Sequence, residues 1–259
     1  MKTKSIYLLA LLLCIIAACK KDTSSPPPQP EPVKKYLAKV LAVGNDGSSF
    51  EVESCTWDSL HRLKTFEYEL GYKYSFEFHY DSIGRVSSIN SYDGLYGNFY
   101  LLFDWKNDKE LNVIDYYTIK SDSSLSHRIQ YVYLYDELHQ YVEIQRFYVQ
   151  DNNYRLDHTW YIEWDGDNIA IVYEIDSFGH QWGVISCFPH DDKHSPYNNF
   201  PNILIQVFND RKIAYNPSKN NTIVPNYEYE YDEDGYPVGQ YYLGEDGTRI
   251  LIYKFEYYK

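Results

Sequence analysis

The sequence predicts an all-β fold: a long twisted antiparallel meander of about seven two-stranded repeats, curved or folded onto itself. Aromatic residues make up 18% of the 259 residues, and 30 of them are Tyr, which favours strands. Apolar and polar residues alternate with a period of two, and an aromatic–Asp pair recurs along the chain. No convincing apolar stripe with a 3.6-residue period is present after the first segment, so helices are not expected.

Residues 1–18 have the composition of a lipoprotein signal peptide. Lys2 and Lys4 precede an apolar run, residues 6–16, that is too short to span a membrane. Ile16-Ala17-Ala18-Cys19 resembles the lipobox of bacterial lipoproteins, so we expect Cys19 to be acylated, with palmitate for example, and to become the N-terminus. The alternative is an ordinary secretory signal with a chance cysteine.

Residues 19–32 form a polar, Pro-rich tether with nothing to bury. Lys20 stands where Asp would retain an enteric lipoprotein at the inner membrane. We therefore expect a lipid-anchored protein of the outer membrane, on the periplasmic or the cell-surface face, with residues 33–259 as its β domain.

The repeat is an aromatic residue followed by Asp. Five copies have both the aromatic residue and the Asp, and two, Trp105-Lys106 and His190-Asp191, are degenerate. The first residues of the seven are Trp57, Tyr80, Trp105, Tyr135, Trp164, His190 and Tyr231. Five of the six spacings fall between 23 and 30 residues, which suits two strands with their turns. Upstream of each pair the aromatic residues alternate with polar ones, as in residues 72–80, which predicts strands with one buried face.

The repeat Asp begins a predicted turn. Its carboxylate can accept backbone N–H groups two residues on, and the third residue after it needs a left-handed conformation that Gly, Asn or His tolerates. The predicted turn residues are Asp58, Asp81, Gly84, Asp136, Asp165, Asp232 and Gly235, with Asn168, His61, His139 and His194 in the place of Gly.

The motif aromatic-x-aromatic-Asp-x-x-Gly-Arg-hydrophobic, clearest at residues 76–86, resembles the YD repeat of RHS-type proteins. With the lipobox, the Pro-rich tether and the segment from Tyr229 to Pro237, the chain looks like Bacteroidetes-type lipoproteins with degenerate YD repeats. The resemblance covers about residues 36–259. It implies a β-rich fold and no established activity, and it leaves open whether the degenerate turns share the same geometry.

Charge and motifs exclude several classes of function. A formal net charge of −13 disfavours nucleic acid and adsorption of the β domain to anionic lipids. His190-Asp191-Asp192-x-His194 has metal-like spacing but falls in a repeat turn, and the acidic turns lack a complete calcium ladder. No cofactor or metal is expected, and no hydrolase or phosphate-loop motif is present, so an enzyme is not expected.

Two cysteines remain in the expected mature domain besides Cys19. Cys55 and Cys187 precede their repeat aromatic by two and three residues, which places them on opposite strand faces. We therefore predict two separate buried thiols, with a disulfide as the alternative.

The Tyr-rich face supports three hypotheses. The first is a binding or scaffold module in which this face or the loop 188–226 contacts a glycan or an envelope protein, with the candidate ligand-binding residues Trp105, Trp160, Trp164 and Trp182. The second is a purely structural or assembly component of the envelope. The third is a glycan hydrolase, which would need two carboxylates at a fixed separation.

Overall fold

The structure is a computed structural model that describes residues 33–69, 71–93, 97–118, 125–186, 189–201 and 218–258. The predicted signal peptide, Cys19, the Pro-rich tether and Cys187 lie outside these residues. Residues Lys34–Lys259 belong to one compact unit.

Every regular element in the described residues is a strand, which confirms the predicted all-β class. The strands are β1 (Tyr36–Val43), β2 (Ser49–Trp57), β3 (Leu63–Glu69), β4 (Lys73–Tyr80), β5 (Val86–Asp93), β6 (Gly97–Asn107), β7 (Glu110–Thr118), β8 (Leu125–Tyr135), β9 (Tyr141–Gln150), β10 (Asn153–Asp165), β11 (Asn168–Asp176), β12 (Gln181–Ser186), β13 (His190–His194), β14 (Asn220–Thr222), β15 (Tyr227–Tyr231), β16 (Pro237–Leu243) and β17 (Arg249–Tyr258).

Fifteen of these strands form one antiparallel sheet. Strands β1 to β12 follow one another as a meander, and β1 also pairs with β17, which continues to β16 and β15. Within the described residues the sheet is open, with β12 and β15 at its ends, and β13 pairs with β14 in a separate small sheet. The predicted meander is confirmed, and the pairing of the first strand with the last is an addition to it.

The alternation in the sequence becomes the two faces of the sheet. In β4, Phe76 and Phe78 are buried while Lys73 and Glu77 are exposed. Phe76 pairs in register with Phe66 of β3, and the two rings stack at 6.0 Å. The cross-strand aromatic pair stabilises this register because a slip of one residue would turn every ring to solvent.

The strand directions give the sheet two rims. One rim, the turn rim, carries the connections 58–62, 81–85, 108–109, 136–140, 166–167 and 232–236, and β1 begins there. The other, the distal rim, carries the turns 44–48, 151–152, 177–180 and 244–248. The chain therefore enters the β domain at the turn rim.

Residues 189–201 and 218–226, the inner segment, connect the two halves of the sheet. Phe200 packs on Trp57 and Phe66 at 5.9 and 5.4 Å between ring centroids, while the Ser218 hydroxyl accepts the backbone N–H of Ile169. The prediction of one extended loop over 188–226 was wrong for β13 and β14, because these two segments pair with each other in the small sheet.

Candidate functional site

The Asp81 turn shows which hydrogen bonds stabilise the repeat turn. The Asp81 carboxylate accepts the backbone N–H groups of Ile83 and Arg85 and the Arg85 side-chain Nε–H at 2.8–3.1 Å. Desolvation opposes ionisation, but the Arg85 backbone and side-chain hydrogen bonds outweigh it and lower the pKa of Asp81. Gly84 has φ 89°, the left-handed conformation that the sequence predicts.

Four other turns have the same carboxylate-to-backbone pattern. They begin at Asp58, Asp136, Asp176 and Asp232. The third residue after each Asp is left-handed: His61, His139, Gly179 and Gly235. Asp176 was missed because Ile175, not an aromatic residue, precedes it; the Asp-x-x-Gly pattern alone would have found it.

The prediction for Asp165 was wrong in its geometry. Asp165 pairs with Asn168 across a two-residue turn in which Gly166 is left-handed, φ 59°. Asn168 and His194 do not have a positive φ among the described residues. The turn is shorter than the repeat pattern implies because β10 continues through Asp165, and β13 includes His194.

Four of the repeat aromatics donate a hydrogen bond to the strand before their own. The indole N–H of Trp57, Trp105 and Trp164 donates to the backbone carbonyl of Leu37, Val86 and Tyr141, at 2.8, 3.1 and 2.9 Å. The Tyr80 hydroxyl donates to Leu63 in the same way. Each acceptor is the first or second residue of the preceding strand, so the aromatic of one repeat fastens the exit of the turn before it.

The four candidate tryptophans do not form one cleft. Trp105 in β6 and Trp164 in β10 are four strands apart, about 19 Å at the usual strand spacing. Trp160 is buried, with His158 stacked on it. Trp182 lies in β12, and its side chain is outside the described part of the chain.

A pocket of about 590 Å³ lies at the turn rim beside Trp164. The Asp136 turn contributes His139 and Gln140, and the inner segment contributes Phe200 and other residues. A pocket of this size is in the range of small-ligand sites. Of the predicted ligand-binding residues with described side chains, Trp164 is the one in this pocket.

The polar groups of the pocket include amides, imidazoles and one ion pair. Lys219 pairs with Asp167 at 2.9 Å, and the Gln140 side chain donates to the backbone carbonyl of Gly166. Asn198 contacts His194 at 3.2 Å through Nδ2, and its Oδ1 is buried with no hydrogen-bond partner among the described residues. Desolvation lowers the pKa of His194, so its imidazole is neutral at pH 7.

A second buried group is a carboxyl that faces the inner segment. The Tyr197 hydroxyl donates to Glu53 at 2.7 Å, and Glu53 is 7% exposed. Desolvation raises the pKa of Glu53 to about 7, although the Tyr197 hydrogen bond opposes the shift. Cys55, two residues further along β2, is a buried free thiol whose pKa burial also raises.

The third group is an ion cluster on β9, β10 and β11. Asp157 accepts hydrogen bonds from Arg146 Nε at 2.8 Å and contacts His158 Nδ1 at 2.7 Å. Glu174 lies 3.6 Å from the other ring nitrogen of His158. Desolvation opposes ionisation of Asp157, but the His158 and Arg146 hydrogen bonds lower its pKa.

Within the described residues, no three or more His, Cys, Asp and Glu side chains are arranged to hold a metal ion. The described part of the chain also contains no helix with the length and apolarity needed to cross a bilayer.

The described residues form an all-β meander with a ligand-sized pocket beside Trp164. The chain matches no protein-family model and no curated protein. Two solved structures of porin-like proteins are similar to it. The one from Bacteroides vulgatus has 13% identity and a TM-score of 0.39, with 87% of this chain and 99% of that chain covered. The one from Bacteroides uniformis has 9% identity and a TM-score of 0.46, with 86% and 98% covered. At TM-scores below 0.5 these similarities carry no argument about function.

Proposed function

We propose that the protein is a lipid-anchored lipoprotein of the outer membrane whose β domain binds a glycan in the pocket beside Trp164. The lipobox at residues 16–19 and the Pro-rich tether support the anchor. The observation that carries the binding function is the pocket of about 590 Å³, in which an indole ring and several polar side chains line one space.

The chemistry of the pocket suits a sugar. Pyranose rings present C–H faces that pack on aromatic rings, and hydroxyl groups that both donate and accept hydrogen bonds. Trp164 supplies the ring, while Gln140, His194 and Lys219 supply polar groups around it. Because Lys219 already pairs with Asp167, the described lining of the pocket has no uncompensated Lys or Arg to favour a strongly anionic ligand.

The test is a titration of the protein with a panel of polysaccharides, followed by tryptophan fluorescence and melting temperature. Trp164→Phe is the test variant and Trp105→Phe is its matched control. Both substitutions remove one indole hydrogen bond to a neighbouring strand, but only Trp164 lines the pocket.

We expect a glycan that raises the melting temperature of the protein and of Trp105→Phe, and that binds Trp164→Phe at least tenfold more weakly. Equal loss of binding in the two variants would show that the effect is structural. Binding that survives unchanged in Trp164→Phe would place the ligand elsewhere.

Lipidation has its own test. Mass spectrometry of the protein from membranes should find acyl chains on Cys19, and Cys19→Ser should leave the protein unacylated. An unacylated Cys19, or an N-terminus located further along the chain, would contradict the anchor without bearing on the glycan pocket.

A structural or assembly role is the second candidate function. It is supported by the hydrogen bonds of Trp57, Trp105 and Trp164 to neighbouring strands, which commit the repeat tryptophans to the fold. No ligand in the whole panel, together with an envelope protein recovered by cross-linking to the intact lipoprotein, would favour this role. The described pocket gives no support to the hydrolase hypothesis, because its carboxylate, Asp167, is paired with Lys219.

A further inference from the structure

Three turns expose an aliphatic side chain at the second residue after the repeat Asp. Leu60 is 68% exposed, Ile83 is 73% exposed and Leu138 is 75% exposed. All three belong to the turn rim, in the connections after β2, β4 and β8. The turn rim therefore carries the same exposed aliphatic feature three times, at the same position of the turn.

The turn itself does not need an apolar residue at this position. Leu60, Ile83 and Leu138 contribute a backbone N–H to the carboxylate of the repeat Asp, at 2.8–3.1 Å. In the fourth turn of this kind on the rim, the same position holds Asp234, which pairs with Lys35 at 2.6 Å. Because Asp234 forms the same turn, the turn geometry does not require the aliphatic side chains of Leu60, Ile83 and Leu138.

The lipid anchor proposed above bears on which surface the turn rim faces. The β domain begins at the turn rim, where Lys35 pairs with Asp232 and Asp234. Residues 20–32 lie between this point and Cys19, and a Pro-rich stretch of that length extends at most about 40 Å. If Cys19 is acylated, as proposed above, the turn rim is the part of the sheet that the anchor holds nearest to the bilayer.

We propose that the turn rim is a membrane-contact surface, on which Leu60, Ile83 and Leu138 enter the interfacial layer of the bilayer that carries the lipid on Cys19. The carboxylates of Asp58 and Asp81 pair with Arg62 and Arg85, so they present little uncompensated charge beside Leu60 and Ile83. The net charge of −13 disfavours anionic lipids. The surface therefore binds a bilayer with neutral or zwitterionic headgroups, through its apolar side chains.

Phe178 provides a matched control within the chain. It occupies the same position of the Asp176 turn, donates its N–H to Asp176 at 2.9 Å and is 83% exposed. The Asp176 turn follows β11, so it belongs to the distal rim. Phe178 is as apolar and as exposed as the three tips, but the proposal leaves it in water.

The experiment uses the full acylated protein in phosphatidylcholine vesicles whose acyl chains are brominated. Ile83→Trp and Phe178→Trp each add one tryptophan at a turn tip, and quenching is measured against the unaltered protein. We expect the added fluorescence of Ile83→Trp to be quenched at least twofold and that of Phe178→Trp to be unchanged. Adding Leu60→Ser and Leu138→Ser to Ile83→Trp should abolish the quenching, whereas adding Phe178→Ser should not.

Two controls separate this inference from the proposed anchor. Acylation of Cys19 by mass and flotation with the vesicles together establish the anchor. Flotation without quenching of Ile83→Trp, or equal quenching at Ile83 and Phe178, overturns the membrane-contact surface and leaves the anchor intact. A protein that is neither acylated nor floats overturns both. Quenching of Ile83→Trp that disappears in 0.5 M salt also overturns the membrane-contact surface, because salt does not screen apolar contacts.

Discussion

Glu53 in β2 and Asp157 in β10 are two largely buried carboxyl groups in one sheet, and their surroundings differ. Asp157 has the Arg146 guanidinium and the His158 ring within hydrogen-bond distance. Glu53 has the neutral Tyr197 hydroxyl. Asp157 is also less buried than Glu53, so the partners and the burial together account for the opposite directions of the two pKa shifts.

The two pKa shifts have opposite signs and give opposite dependences on pH. The lowered pKa of Asp157 stabilises the fold above the ordinary Asp pKa, and this contribution is lost as the pH falls through the lowered pKa. For Glu53, the folded protein holds a proton that the unfolded chain releases between its ordinary pKa of 4.5 and the raised pKa of about 7. Stability therefore falls as the pH rises across that interval.

The largest effect is expected from removing the partner of Asp157. Arg146→Leu leaves a carboxylate that is 17% exposed without its guanidinium, and we expect a loss of about 3 kcal/mol in the free energy of unfolding at pH 7. Urea unfolding followed by fluorescence measures it. Lys39→Met removes the cation of an exposed pair with Glu51 and should cost less than about 1 kcal/mol. Equal losses in the two variants would contradict the role of burial.

A smaller effect of opposite sign is expected at Glu53. Glu53→Gln keeps an acceptor for Tyr197 but cannot ionise, so it should stabilise the protein by about 2 kcal/mol at pH 8. At pH 4 the variant and the parent should be alike, because Glu53 is then protonated in both the folded and the unfolded state. Glu51→Gln, in the same strand with an exposed carboxylate, is the control. A pH-independent difference for Glu53→Gln would refute the buried-acid account.

The smallest effect is expected in the turns, whose carboxylates are partnered by backbone N–H groups. Gly84 has φ 89° with no atom closer than 3.9 Å to an added Cβ, so Gly84→Ala meets conformational cost alone. We expect a loss of about 1 kcal/mol. Ser82→Ala in the same exposed turn should change the free energy of unfolding by less than about 0.5 kcal/mol. Thermal melts of the two variants would resolve the difference.

The strands and most turns could be predicted because their causes are local. Alternation in residues 72–80 defines the buried face of β4, and the Asp81 turn needs only residues that are neighbours in sequence. The pairing of β1 with β17 could not be predicted, because it requires the chain to return from β12 at one edge of the sheet to β15 at the other.

The candidate site was harder to predict because its residues are distant in sequence. Trp164 was singled out for its ring, but Gln140 joins it from the Asp136 turn and Lys219 joins it from the inner segment. Glu53 carried no local signal, since its partner Tyr197 is 144 residues away. Trp105 and Trp160 were chosen by residue type, and the structure places both outside the pocket around Trp164.

The hydrogen bonds from four of the repeat aromatics to the preceding strand have an evolutionary consequence. Trp57, Tyr80 and Trp105 each donate to the strand before their own, so each of these two-strand units carries the group that joins it to its neighbour. Duplication of one unit would add two strands and regenerate the same contact, whereas deletion would remove both together. Descendants of such a chain can therefore change in width by whole units, and the spacings of 23 to 30 residues are the steps in which its length would vary.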